Sequence, residues 1–335
     1  MSECVSAPLE KHFGGRAYLI REVTPDDAPE VLRLFLEIFG QQPGPDWFAW
    51  KYGDGGSGAL GLWDESGRLM AHYAGIARTV SWQGKAVVAV QIGDVMVSPG
   101  LRGLVLRKGP FQQLCSRFFA SRVGAGRPYR FAWGFPNQRA LRLGVTLGLY
   151  RDEGVISQLS WPARPGRLPF WWSFAPLADS AEDFDAGVEA VWRAMAEDMK
   201  GHVLGVRDAG YLRWRYIDRP DRGYRLFALR RRLSGKTLAV VAMRLADGSA
   251  ELLDVVGPRG IFAVAVRAAA IEAARTGAQR LSAWASPALA EFARDTGAEA
   301  SPSGASLAIG KESDFSDDEV AAARWWLMGG DTDFL

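Results

Sequence analysis

Val97-Ser98-Pro99-Gly100-Leu101-Arg102-Gly103 closes a Val-rich run, Ala86 to Val97, and stands ahead of a helix opened by Gly109-Pro110. The run reads as one long strand. The helix carries Phe111, Leu114, Cys115, Phe118 and Phe119 at i, i+3, i+4, i+7 and i+8, a single apolar face. A strand that delivers the chain to a turn facing a helix start gathers backbone N–H donors and partial positive charge in one place. Such a place favours phosphate. Arg102, Arg107 and Lys108 add charge at the same end. A plain strand–loop–helix with solvated basic residues gives the same pattern, so the motif alone leaves both readings open.

Working outward, Ile20 to Glu22 reads as a short strand. Thr24-Pro25-Asp26-Asp27 then reads as a helix start, and Gly40 as its stop. An aromatic segment follows, Asp46-Trp47-Phe48-Ala49-Trp50-Lys51-Tyr52. Strands are expected at Ala59 to Trp63, Leu69 to Gly75 and Ala77 to Trp82. Downstream come a strand at Tyr129 to Trp133, a helix opened by Pro136-Asn137 and closed by Leu147-Gly148-Leu149, and a strand at Gly154 to Trp161. Trp161 to Asp185 is rich in Pro, Ser and aromatic residues without periodicity. Ala186 to Met199 reads as a helix. Arg230-Arg231-Arg232 leads into Leu233-Ser234-Gly235-Lys236, a hairpin turn with solvated charges. Ser316-Asp317-Asp318-Glu319 is a capping-box pattern ahead of a helix expected over Val320 to Met328.

The second half echoes the first. Tyr211 to Asp218 repeats Trp47 to Asp54 at an offset of 164 residues, and Leu253 to Pro258 repeats Gly93 to Pro99 at 160. Ala285-Ser286-Pro287 repeats Gly134-Phe135-Pro136 at 151, and Gly297 repeats Gly148 at 149. The order is kept and the offsets drift by loop length, as two copies of one fold require. A repeat this long excludes a solenoid. Trp50 and Trp214 fall at equivalent positions, as do Trp133 and Trp284, which points to paired architectural residues among the 13 tryptophans.

The order of elements, with Val97-Ser98-Pro99-Gly100-Leu101-Arg102-Gly103, Asn137-Gln138-Arg139-Ala140 and Gly148-Leu149, resembles the GCN5-related N-acetyltransferase (GNAT) superfamily, in tandem. The resemblance covers roughly residues 18 to 161 and, more weakly, 186 to 310. It implies an α/β fold, with mixed α+β sheets in two tandem acyl-CoA N-acyltransferase domains. The bounds expected are 1–161 for the coenzyme-binding domain, 162–185 for the connection, 186–311 for a degenerate second domain and 312–335 for a terminal helix and tail. Acetyl-CoA is implied as substrate, with no metal. Its pantetheine arm is expected on Val95, Met96 and Val97, and its pyrophosphate at Arg102, Gly103, Arg107, Lys108 and Gly109. Asn137 is expected to cap its helix, to reach the coenzyme, or both.

The sequence departs from the family pattern of Arg-Gly-x-Gly-x-Gly or Ala. Val105 replaces the middle glycine, and the last is met only at Gly109, two residues late. Glycines there let backbone approach phosphate closely, so the loop is reshaped. Acyl transfer to an amine needs a base for the ammonium and an acid for the leaving thiolate. Gln91 falls where many members carry a basic Glu; Gln cannot take a proton but can orient water or substrate. Asp94 is the nearest carboxylate, though its counterpart Asp254 also points to an architectural role. The usual Tyr acid is Gly144, and Tyr150 is the candidate substitute. The second copy lacks further glycines after Arg259-Gly260 and has no counterpart of Asn137 beside Pro287, so it is expected to shape the acceptor cleft without catalysing. The tail Gly330 to Leu335 is expected to dock, or to pack on the first domain and lend its carboxylate.

Composition bounds the rest. Of 335 residues, 48% are hydrophobic and 23% charged, ordinary for a globular chain. Lys plus Arg at 40 against Asp plus Glu at 38 gives a net charge of only +2, which speaks against a nucleic-acid partner. Cys4 and Cys115 cannot form a disulfide framework, and His12, His72 and His202 are not at metal-ligand spacing. No run reaches the ~20 apolar residues of a membrane span. The expectation is a cytoplasmic acyl-CoA-dependent N-acyltransferase acting on an amine of a small molecule or sugar, with homo-oligomerisation undecided. The alternatives are a non-catalytic acyl-CoA-binding or scaffold protein, or an aminoacyl transferase of the same fold.

Overall fold

The computed structural model describes residues 7–13, 15–53, 58–104, 109–178, 184–220, 223–246 and 248–332. In chain order they form β1 (Leu9–Phe13), β2 (Arg16–Glu22), α1 (Ala28–Phe39), α2 (Pro45–Tyr52), β3 (Leu60–Asp64), β4 (Leu69–Trp82) and β5 (Lys85–Val97). A 3-10 segment, Pro99–Leu104, then leads to α3 (Pro110–Arg122), β6 (Phe131–Gly134), α4 (Gln138–Thr146) and β7 (Tyr150–Pro162). The second half contributes β8 (Trp172–Pro176), α5 (Phe184–Asp198), β9 (Val203–Gly205), α6 (Ala209–Leu212) with a π-helical turn (Arg213–Ile217), β10 (Tyr224–Arg231), β11 (Thr237–Ala246) and β12 (Ser249–Val256). It ends with α7 (Arg259–Arg275), β13 (Arg280–Ala285), α8 (Pro287–Ala293), β14 (Glu299–Ser313) and α9 (Asp317–Ala321). The fold is mixed α/β.

Two compact units divide the chain, and they interleave. The first takes residues up to Arg78, Val88–Glu153 and Ser306–Ala321; the second takes Thr79–Val87, Gly154–Ala305 and Ala322–Leu335. In the first, the strands run β1-β2-β3-β4-β5-β6-β14, followed by the start of β7. β5 and β6 are parallel, pairing Val90 with Ala132, Gln91 with Trp133 and Ile92 with Gly134. Tyr73, Phe111, Leu114, Cys115, Phe118 and Phe119 are buried between α3 and the sheet, the face that the periodicity of α3 predicts. On the other side Val31, Leu34, Trp47, Phe48 and Met96 form a second cluster under α1 and α2. The expected break at Gly75 is absent: β4 runs unbroken through it. A Cβ at Gly75 would lie 2.3 Å from Val90 Cγ2, so glycine there serves close strand packing, not a turn.

In the second unit the order is β7-β13-β12-β11-β10-β8, with β9 on the far end of β4. β12 and β13 are again parallel, pairing Ala250 with Leu281 and Glu251 with Ser282. In both units this pairing falls four and three residues before the repeated aspartate, Asp94 or Asp254. α7 lays Ala265, Ala268, Ala269 and Ala273 on the sheet, small residues that permit close approach.

Two expectations are corrected. Within the segment expected as a connection, Trp172–Pro176 is an edge strand, paired antiparallel to β10, because Trp172 and Phe174 have apolar partners to cover. The terminal helix stops at Ala321 instead of continuing to Met328. Beyond it the backbone is extended: Val203 N–H donates to Arg324 O at 2.9 Å and Trp326 N–H to Val203 O at 2.9 Å. Trp325 and Trp326 are buried, and tertiary pairing overrides the local helical pattern.

The tail is fixed by a buried charge cluster. Arg207, fully buried, donates to Asp254 Oδ1 at 2.7 Å, to Asp331 Oδ2 at 2.5 Å and to Gly205 O at 2.7 Å. Burial opposes its charge, but the two carboxylates offset this and raise its pKa. Asp331 Oδ2 also accepts the Met328 N–H at 2.8 Å. Removing the guanidinium strands two carboxylates in a dry interior. Arg207→Leu is expected to lose roughly 3–5 kcal/mol of stability, read from urea unfolding; a loss below about 1 kcal/mol contradicts this account of the cluster.

Candidate functional site: the end of the long strand in the first unit

Past Gly134, β6 leaves β5. The Ser306 N–H donates to Pro136 O at 3.0 Å, so the chain after β6 follows β14. β5 stays with β4 to its end, where Ser98 N–H donates to Met70 O at 2.8 Å. Two parallel strands paired through Ile92 and Gly134 therefore part, and β5 continues five residues further, through Val95, Met96 and Val97. A parted pair of this kind presents main-chain donors and acceptors to an extended ligand with amide groups. The 3-10 segment follows, with Leu101 N–H on Ser98 O at 2.9 Å, and then Gly109, the N-cap of α3. Pro110 at the first position suits a helix start. Gly103 and the backbone of Arg102 lie in the 3-10 segment. The Arg102 side chain and residues Val105, Leu106, Arg107 and Lys108 lie outside the described residues.

Asp94 sits where the strands part. Its φ of 47° is left-handed, a conformation that Asp tolerates better than most residues, and it interrupts the regular strand. Its buried carboxylate meets Lys51 Nζ at 2.7 Å and accepts the Tyr52 hydroxyl. Its carbonyl accepts from His72 Nδ1 at 2.8 Å. A carbonyl only accepts, so Nδ1 carries the proton and the buried Nε2 holds the lone pair. Burial pushes the His72 pKa below its usual value. Gln91, also buried, accepts at Oε1 from Arg78 at 3.0 Å, and its Nε2 has no partner among the described residues.

Asn137 caps α4, its Oδ1 accepting the Ala140 N–H at 2.9 Å. Gln138 donates to Ser306 Oγ at 2.9 Å, tying the same helix start to β14. At the other end of α4, the Tyr150 ring covers Gly144: a Cβ there would lie 2.0 Å from Tyr150 Cδ2. Tyr150 thus occupies the space a tyrosine at position 144 would need. Its hydroxyl meets that of Tyr73 at 2.5 Å. Burial raises the pKa of both phenols and of neighbouring Cys115. The pair shares one hydrogen bond between two O–H groups, so one proton remains to be donated.

The second unit treats the same place differently. Tyr216 donates to Asp254 Oδ2 at 3.0 Å, as Tyr52 does to Asp94. Here, however, α7 begins directly after Pro258, its N-cap. The tail occupies the far edge of β13: Ala285 bridges Met328, and Ser286 N–H donates to Leu327 O at 3.0 Å. Gly330 lies against Asp254, and a Cβ there would lie 2.1 Å from the Tyr216 hydroxyl and 2.5 Å from Asp254 Oδ2. The described tail residues are anchored in this unit; Asp333, Phe334 and Leu335 lie outside the described residues. Among the described residues no group of three or more His, Cys, Asp or Glu is placed to hold a metal, and no helix is long and apolar enough to cross a membrane.

Sequence reasoning missed Lys51, Tyr52, His72, Arg78 and Tyr73. Tyr52 was within reach, because the aromatic segment repeats and its counterpart is Tyr216.

Residues 19–141 match the family model for the acetyltransferase (GNAT) domain. The fold is GNAT-like, and its parallel strand pairing recurs in the second unit. Among solved structures, it is similar to a conserved protein of Enterococcus faecalis V583 described as a probable N-acyltransferase. That match has a TM-score of 0.62 and 14% identity, covering 88% of this chain and 72% of the other. A GCN5-related N-acetyltransferase of Kribbella flavida gives 0.62, 17%, 88% and 71%. Saccharomyces cerevisiae N-myristoyltransferase with bound myristoyl-CoA gives 0.59, 13%, 92% and 85%. No curated protein matches the sequence.

Two outcomes follow from this geometry. Gly144→Ala is expected to cost about 1–3 kcal/mol by overpacking against the Tyr150 ring. Adding Tyr150→Ser should recover part of that loss, and a strictly additive double mutant contradicts the contact. His72 and His202 are both held below the usual imidazole range, chiefly by burial. The unfolded chain therefore binds protons first, so stability is full above about pH 6.5 and falls as pH drops from there. The unfolding midpoint should decline as pH falls below about 6.5, and less so in His72→Gln; a flat profile contradicts the assignment.

Proposed function

We propose that the first unit binds acyl-CoA at the end of β5 and transfers its acyl group, most simply acetyl, to an amine of a small molecule or sugar. The observation that carries this reading is the parting of β5 from β6, with β6 drawn to β14 through Pro136 and Ser306. The family match over residues 19–141 supports it, as does the shared fold of the yeast enzyme solved with myristoyl-CoA. In this reading Val95, Met96 and Val97 pair with the pantetheine amides. Arg102, Gly103, Arg107, Lys108 and Gly109, with the helix start of α3, hold the pyrophosphate. Asn137 combines capping with a contact to the coenzyme. The reaction takes place in the cytoplasm.

The acceptor nitrogen attacks the thioester carbonyl directly. Backbone N–H near Val97 polarises that carbonyl, and the C–S bond breaks as the C–N bond forms. Tyr150 donates the remaining proton of its pair to the leaving thiolate; the proton shed by the acceptor nitrogen, which attacks as the neutral amine, passes to water, and water reprotonates Tyr150. Its raised pKa keeps that proton in place at neutral pH. Gln91, held by Arg78, orients the acceptor or a water through Nε2. Asp94 holds the strand in its kinked form, with Lys51 and Tyr52 satisfying its carboxylate. The second unit is a non-catalytic partner domain.

One observation favours a second reading, a non-catalytic acyl-CoA-binding protein: the Asp94 carboxylate, nearest to the parted strands, is engaged by Lys51. Thermal shift with acetyl-CoA and a thiol-release assay over amines and amino sugars separate the two. A shift with acceptor-dependent thiol release is expected. A shift without release favours the binding protein, and no shift at millimolar coenzyme contradicts both. Tyr150→Phe should lower kcat by roughly 10- to 100-fold with little change in KM for acetyl-CoA. Asp94→Asn should act mainly on stability, by leaving the Lys51 ammonium buried without a counter-charge.

A further inference from the structure

Phe170, Trp171 and Leu233 are exposed at 70%, 53% and 87%. All three lie in the second unit, and they are neighbours. Arg232 N–H donates to Trp171 O at 2.9 Å, and Arg232 Nε donates to Phe170 O at 2.7 Å. Leu233 follows at the tip of the β10–β11 hairpin. Large apolar side chains this exposed and this close to one another mark an interaction surface.

The surroundings are basic. Residues 162–173 and 230–237 carry Arg164, Arg167, Arg230, Arg231, Arg232 and Lys236, with no carboxylate. Beside the apolar tip lies a cleft of about 410 Å³, lined by Arg167, Arg232 and Arg275 and floored by Leu168, Trp172 and Ile271. Arg275 also pairs with Glu272 at 2.8 Å. Three guanidiniums around an apolar floor suit a phosphate attached to carbon chains. Arg231 stacks on the Trp172 ring at 4.3 Å, and Arg232 donates to Trp172 O at 3.0 Å, so the surface is pre-organised.

We propose that this face docks on an anionic phospholipid bilayer. Leu233 and Phe170 enter the acyl boundary, and Trp171 sits at headgroup depth, where indoles are favoured. The arginines meet lipid phosphates, one of them within the cleft. The charge is complementary to such a surface, and Leu233 has no counterpart in a nucleic-acid groove. Peripheral docking of this kind needs no spanning helix, and it does not depend on the acyltransferase reading.

The test is co-sedimentation of the full chain with vesicles of phosphatidylcholine alone or with about 30% phosphatidylglycerol, at roughly 0.1 M and 0.5 M salt. Binding to the anionic vesicles is expected, weaker at high salt, and at least tenfold weaker on neutral vesicles. The variant Phe170→Ser/Trp171→Ser/Leu233→Ser and the variant Arg164→Glu/Arg167→Glu should each lose tenfold or more while keeping the wild-type unfolding midpoint. If either variant unfolds, Lys236→Glu, at the exposed turn, replaces it with a smaller expected loss, roughly fivefold. Equal binding to both vesicles, or no binding to either, overturns the proposal. So does unchanged binding in the variants. Retention of a short duplex RNA in place of vesicles, or a dimer that the triple variant dissolves, overturns it in favour of those partners.

Discussion

A buried aspartate on the central strand of each unit, tied to a tyrosine from an aromatic helical segment and to a cation, is the interaction on which the rest depends. Asp94 lies where β5 loses β6 as a neighbour, in a left-handed conformation that most residues resist. The kink persists because its groups are satisfied: the carboxylate by Lys51 and Tyr52, the carbonyl by His72. An unpaired charge in that position would cost several kcal/mol, so the network, not the strand itself, holds the parted geometry. Asp254 repeats the arrangement with Tyr216 and Arg207.

The two copies share this frame and use it in opposite ways. In the first unit β6 is drawn toward β14, and β5 runs on toward a turn and a helix start. In the second unit β12 passes to α7 with only Gly257 before the Pro258 cap, and Leu327 to Asp331 pack against the edge of β13 and against Asp254. Gly330 has no side chain because the Tyr216 hydroxyl and the Asp254 carboxylate fill that space. There the chain's own tail makes main-chain contacts with Ala285 and Ser286.

Much of this was legible in the sequence, because it is encoded locally. The strand ending at Val97, the helix start at Gly109-Pro110, the Asn137 cap and the Ser316–Glu319 capping box each rest on residues within a few positions of one another. The 160-residue offset links Asp94 to Asp254, and both carboxylates accept a tyrosine hydroxyl. What was not legible depends on distant partners. The cation on Asp94 is the neighbour of Tyr52, whereas the cation on Asp254 is Arg207, nine residues before Tyr216, so the repeat does not reveal it. The Gln138–Ser306 contact spans 168 residues. The tail helix failed because Trp325 and Trp326 gain more from burial and pairing with Val203 than from helical propensity. Tyr150 reads as a replacement for the residue at Gly144, but only the structure brings its ring onto that glycine and its hydroxyl onto Tyr73.

The central claim is that one copy keeps the strand end for coenzyme while the other is filled by its own chain. Calorimetric titration of the full chain with acetyl-CoA tests this directly. The account predicts a single saturable site per chain, weakened by charge removal at Arg102 and untouched by changes at Arg259. Two equivalent sites, or no heat at millimolar coenzyme, would contradict it.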